Sequence, residues 1–235
     1  MPRQLANTRN LFTSLVLVFP LLIIYQIGVL FTLPMLNGAD FLTTLLFRTL
    51  RLSVQGYLIF VGAVVVLFTI AVAVLHRRQR FDSRMVLPVL LESSIYALTM
   101  GSVIVLVMTK LLGISPRLAA ALDSQGMLNR LIMSVGAGVY EETVFRLGLL
   151  GGLAVLFERV FGMVRWAAVL AAFLVSSAAF SAVHHLPPYG DPLTVGLFTF
   201  RLLAGVFFGL LFWFRGFAVA VYTHALYDMY VLLVR

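Results

Sequence analysis

The stretch Gly138–Gly148 reads GVYEETVFRLG: two adjacent carboxylates and an arginine inside an apolar run. On a helix, Glu142 and Arg146 stand four residues apart and share a face, so Arg146 neutralises Glu142 by a charge-assisted contact. Glu141 is turned about 100° from that pair, and no Lys or Arg lies three or four residues from it. Two later apolar segments supply imidazoles. His184 and His185 close FSAVHHLPP, and being adjacent they point in different directions; His224 lies in VYTHALYDMY with Asp228 one turn further on the same face. A carboxylate beside an imidazole suits activation of water, and a second imidazole can hold an oxyanion. The same residue types also bind metals. Blander readings exist for each part: a helix-packing pair of Glu142 with Arg146, interfacial histidines before a proline turn, and a buried hydrogen-bonded His224–Asp228 pair that fixes a tautomer. The packing reading does not account for Glu141.

These groups need elements that can hold them in an apolar setting. Hydrophobic residues make up 62% of the chain and charged residues only 11%, against about 25% charged in a soluble domain. That places the chain in the membrane class, where an ionisable side chain inside a span costs about 2.5–3.5 kcal/mol and is a functional candidate by default. A span needs about 20 apolar residues. Runs and interruptions give seven, at 11–34, 54–75, 85–109, 127–157, 164–185, 193–214 and 217–234. Phe41–Leu52, with Arg48 and Arg51, reads as an interfacial helix, and Leu111–Leu122 as a second. The expected fold is therefore all-α, a polytopic transmembrane helical bundle of about seven spans plus one or two interfacial helices. It forms one integral-membrane domain over 1–235, with N-terminal spans in 1–126 and the core spans of the site in 127–235. The first apolar stretch follows Arg3 and Arg9, exceeds a signal-peptide core and lacks a small-residue cleavage site, so it reads as a retained span.

The net charge of +8 fits topology and anionic lipid better than nucleic acid, because the basic residues are not interleaved with aromatics in a patch. The loop His76–Arg84 is the strongest positive cluster, followed by Arg159 with Arg165 and by Arg215. If the spans alternate, all three lie on the side of the N-terminus, which the positive-inside rule makes cytoplasmic; the expected location is the cell (inner) membrane. Glu92 reads as a structural acid reaching toward the basic loop, and Arg201 as a snorkelling arginine. Cysteine is absent, which excludes disulfides and thiol chemistry.

EETVFR fits EExxxR, FSAVH fits FxxxH and HALYD fits Hxxx(N/D), in that order and on successive apolar helices. From about Gly136 to Tyr230 the chain thus resembles the CPBP family of intramembrane proteases, which includes the type II CAAX-prenyl endopeptidases. The resemblance implies that Glu141 is the general base activating water, assisted by His184. It implies further that Glu142 and Arg146 brace the site and that His224 and Asp228 form the oxyanion-stabilising pair. It implies a glutamate-dependent, metal-free reaction with no cofactor. The partners would be membrane lipid and a hydrophobic or lipidated protein or peptide, cut near its C-terminus or in its membrane-embedded part. The better-studied prenyl-protein proteases carry asparagine where this chain has Asp228. An ionised Asp228 cannot donate a hydrogen bond, so it is either protonated or orients a charged His224. The motif selects His184 over His185, which stands behind it. The alternatives are a catalytically inactive scaffold or bacteriocin-immunity-type protein of the same fold, and a proton-coupled transporter, which the lack of an inverted repeat disfavours.

Depth is the one geometric difficulty. A straight helix from Met127 puts Glu141 about 21 Å from its outer end, whereas His184 ends its own span. Gly136 and Gly138 offer a break, leaving 127–135 as a separate interfacial segment.

Overall fold

The computed structural model describes residues 10–31, 54–77, 80–115, 126–186 and 190–234. Helix α1 spans Leu11–Phe31 and α2 spans Val54–His76. Asn10 caps α1, its side-chain oxygen accepting the Phe12 N–H at 2.9 Å. Helix α3, Val86–Leu106, follows a 3-10 turn at Ser83–Met85 and runs on into a π-helical turn at Val107–Leu111. One continuous helical rod then contains α4 (Met127–Gly136), a π-helical segment (Ala137–Leu150) and α5 (Gly151–Arg159). Helices α6 (Arg165–Val183), α7 (Val195–Arg215) and α8 (Phe217–Val234) complete the bundle.

The fold is an all-α membrane bundle. Five helical stretches among the described residues are long and apolar enough to cross a membrane: Leu11–Val29, Ile59–His76, Ser83–Leu111, Arg165–Val183 and Val195–Arg215. The rod 127–159 and α8 complete the seven helical stretches that the apolar runs mark out, and the protein is a multi-pass membrane protein. The rod carries Glu141, Glu142 and Arg146 in its middle, so its apolar run is interrupted. The interfacial helix expected at 41–52 lies outside the described residues, as does 116–122 of the second one.

Helix α8 is the hub, packed on α1, α3, α4, α7 and the π-helical segment. Phe217 to Val221, Thr223, His224 and Ala225 are all buried, as expected of a helix apolar on every side. It follows α7 through a single residue, Gly216, whose φ of 101° only glycine adopts readily. Its N–H closes α7 by bonding the Leu211 and Phe212 carbonyls. The turn is held by Arg215, whose guanidinium grips the Glu92 carboxylate of α3 through Nε and, at 2.6 Å, through Nη2. Glu92 thus ties two helices together and does not reach for the His76–Arg84 loop.

The rod does not break at Gly136 and Gly138. These glycines instead admit neighbours: the Tyr25 ring of α1 lies where a Gly136 side chain would be. A Cβ at Gly138 would sit 2.8 Å from the Val221 carbonyl oxygen and 2.9 Å from the Ala225 nitrogen. The π-helical segment therefore packs backbone to backbone against α8. Close approach recurs between α6 and α7, where a Cβ at Gly205 would lie 3.0 Å from Ser177 Cα, the small-residue packing of membrane helices.

Candidate active site

The site forms where α6 ends against the middle of the rod and against α8. In the π-helical segment each backbone N–H reaches back five residues, a winding concentrated at functional sites. Glu141, Glu142 and Arg146 are 1%, 0% and 1% exposed. Burying three such groups is tolerable only with partners at hand. Arg146 Nε lies 3.1 Å from Glu142 Oε2, and its Nη2 donates to the Gly205 carbonyl of α7 at 3.3 Å. The guanidinium also lies over Phe180 (4.3 Å to the centroid) and near Phe208 (5.3 Å), a cation–π arrangement strengthened by desolvation.

Glu142 does more than meet Arg146. Its Oε1 accepts the Nδ1–H of His224 at 2.7 Å, so one carboxylate joins the rod to α8. The His224 ring stacks on Phe208 at 4.4 Å and 15°. His184 is fixed in the same manner, its Nδ1–H donated to the Phe180 carbonyl at 2.7 Å. With both Nδ1 positions engaged, both Nε2 atoms turn toward Glu141: Oε2 lies 3.5 Å from His184 Nε2 and 3.8 Å from His224 Nε2. Asp228 Oδ2 stands 3.5 Å from His224 Nε2. The structure thus gathers all six residues singled out in the sequence: Glu141, Glu142, Arg146, His184, His224 and Asp228.

His185 faces elsewhere, bonding the Asp191 carbonyl through Nδ1 at 3.0 Å and stacking on Phe198. Arg201 pairs with Asp191 at 2.6 Å rather than snorkelling alone. Sequence reasoning missed the aromatic walls. Phe180 precedes His184 by one turn, a spacing that places its carbonyl and ring beneath the imidazole; Phe208 carried no comparable signal. It also missed Ser176, whose hydroxyl bonds the Phe145 carbonyl at 2.6 Å and pins α6 to the π-helical segment. Among the described residues no group of three or more His, Asp or Glu is arranged so that it could hold a metal ion.

Residues 123–230 match the family described as type II CAAX prenyl endopeptidase Rce1-like. The match covers 108 of the 235 residues, just under half of the chain, and supports membership of the CAAX-protease family for that region. The Rce1-like region covers every residue of the buried cluster and leaves α1, α2 and α3 outside. Endopeptidase chemistry is the family's activity. No curated protein and no solved structure matches the chain.

Proposed function

We propose that this protein is a glutamate-dependent intramembrane endopeptidase that hydrolyses a peptide bond near the C-terminus, or in the membrane-embedded part, of a hydrophobic or lipidated polypeptide. One observation carries the reading: Glu141 Oε2 faces the Nε2 atoms of His184 and His224 at 3.5 and 3.8 Å inside a helical bundle. That spacing is a little long for direct hydrogen bonds, and a water bonded to these groups would lie alongside them. Glu141 takes a proton from the water, and the hydroxyl oxygen bonds to the scissile carbonyl carbon. The C–N bond then breaks, and the proton goes to the amine nitrogen that leaves. His184, its Nδ1–H tied to Phe180, holds the water from the other side with Nε2. His224 protonated on both nitrogens gives an Nε2–H for the developing oxyanion. Ionised Asp228, its Oδ2 3.5 Å from the same Nε2, favours the protonated ring by its charge and leaves that N–H for the oxyanion. Glu142 and Arg146 brace the imidazole. The functional unit is the whole chain as one membrane domain, with 127–235 supplying the chemistry, seated in the cell membrane with its N-terminus cytoplasmic.

The test is cleavage of prenylated and hydrophobic reporter peptides in detergent. Glu141→Gln is expected to lower kcat about 10²–10⁴-fold, the range of a lost general base, and His184→Ala to follow it, while a chelator leaves the rate unchanged. Full cleavage by Glu141→Gln would overturn the reading. An inactive scaffold would keep its cellular phenotype in both variants.

A further inference from the structure

We propose that the outward groove between α6 and α7 is a binding site for an anionic phospholipid, with Arg165 on the headgroup phosphate and one acyl chain lying along the groove. The site is separate from the buried cluster and does not depend on the endopeptidase reading above.

The groove has a volume of about 750 Å³, within the roughly 300–1,000 Å³ of small-molecule sites. On α6 it runs from Arg165 to Leu174, and on α7 from Phe214 back to Val206. From Arg165 to Leu174 the helix rises about 14 Å, close to half of the ~30 Å hydrocarbon core of a bilayer. The groove is thus one leaflet deep and begins at the Arg165 end. It stops where the two helices close up, for a Cβ at Gly205 would lie 3.0 Å from Ser177 Cα. A transmembrane partner helix crosses both leaflets and would lose its groove half-way. An acyl chain of one leaflet ends where the groove ends.

The lining fits such a chain. Both tryptophans of the protein, Trp166 and Trp213, face this groove. Trp213 meets Phe173 edge to face at 6.1 Å, and Phe173 lies over Gly209, where a Cβ would come within 2.9 Å of the ring. These rings make an apolar floor. Trp166, 71% exposed in the first turn of α6, stands where indoles favour the boundary between membrane and water. Arg165 is the residue before it. Among the described residues Arg215 is held by Glu92 and Arg201 by Asp191, whereas Arg165 makes no ion pair. No acid is among the described residues that line the groove. A guanidinium matches the oxygens of a phosphate, and its stem lies along apolar surface while the head stays wet. An apolar trough closed at its wet end by an unpaired cation is complementary to a hydrocarbon chain that carries an anion at its end.

The experiment uses the intrinsic fluorescence of the full chain in phosphatidylcholine vesicles, because both indoles line the groove and brominated acyl chains quench an indole on contact. Brominated phosphatidylglycerol is compared with brominated phosphatidylcholine at equal mole fraction. Wild type is expected to bind the anionic lipid about 5-fold more tightly, the worth of one arginine near an anionic surface. Arg165→Gln is expected to bring that ratio close to one, and Arg165→Lys to keep part of it. Arg159→Gln removes a cation of the same loop that does not line the groove and should leave the ratio as it was. Equal quenching of wild type by the two lipids overturns the proposal, and that arm needs no variant to fold. A preference that survives Arg165→Gln, or that Arg159→Gln lowers equally, overturns it in favour of general surface charge. Quenching by neither lipid overturns it in favour of a protein occupant, such as a second copy of this chain.

Discussion

At the scale of single residues, the burial of Glu142 and Arg146 has a measurable consequence. Each is fully enclosed, and each neutralises the other. Removing one partner leaves an uncompensated charge in an apolar setting, which costs about 3–5 kcal/mol. Arg146→Ala and Glu142→Ala are each expected to destabilise the protein by that amount, read as a fall in the unfolding midpoint in detergent. Replacing both together by leucine should cost less than the sum of the single changes, because no charge is then stranded. If the single changes leave the midpoint where it was, the pair contributes nothing to the fold. This contact was legible in the sequence, since a four-residue spacing puts both side chains on one helix face. So was the contact of His224 with Asp228. The bond from Glu142 to His224 was not, because it joins residues 82 apart, and its direction depends on how two helices meet.

Elements decide that meeting. The six polar residues come from the rod, the end of α6 and two successive turns of α8, and their convergence depends on how closely those backbones approach. Gly138 sets the approach of the rod to α8, one turn before Glu142. A methyl group there meets backbone atoms of Val221 and Ala225, which have no flexible end to move aside. Gly138→Ala is expected to cost about 1–3 kcal/mol by overpacking. By pushing α8 outward it should also stretch the Glu142–His224 bond and lower kcat with it. Gly62 in α2 is the control: nothing lies within 4 Å of its would-be Cβ, so Gly62→Ala should be neutral or slightly stabilising in the same thermal melt. Equal effects at both positions would rule out close packing as the cause. Apolar runs mark where helices occur, because a span needs length and hydrophobicity and little else. Winding leaves no such mark. Turning at 100° per residue presumes an α-helix, whereas Ala137–Leu150 is π-helical. Glycines that suggest a break by their flexibility are needed here for their lack of a side chain.

For the molecule as a whole, the two ends of the bundle differ in charge and in chemistry. Phe12, at the start of α1, lies against His76 at the end of α2, with ring centroids 5.3 Å apart. Arg215 grips Glu92 near the start of α3, and Arg165 lines one groove with Phe214. The loops carrying Arg77, Arg80, Arg84, Arg159, Arg165 and Arg215 therefore share one end with the beginning of α1. His184 lies at the far end of α6, about 28 Å away at 1.5 Å per residue, and Asp191 and Arg201 lie with it. With the basic end in the cytoplasm, the orientation proposed above from the positive-inside rule, the mouth of the site should face the opposite compartment. The chain has no cysteine, so single-cysteine variants report one position each without background. Ser83→Cys should react with a membrane-impermeant maleimide only from the cytoplasmic side, and Leu193→Cys, 73% exposed beside Asp191, only from outside. The enzymatic counterpart is directional: in right-side-out vesicles a peptide substrate should be cut when added outside and spared when sealed within. Labelling of both cysteines from one side would mean that α3, the rod and α6 do not make an odd number of crossings between them, and with it would go the separation between a basic cytoplasmic end and a site whose mouth opens at the other.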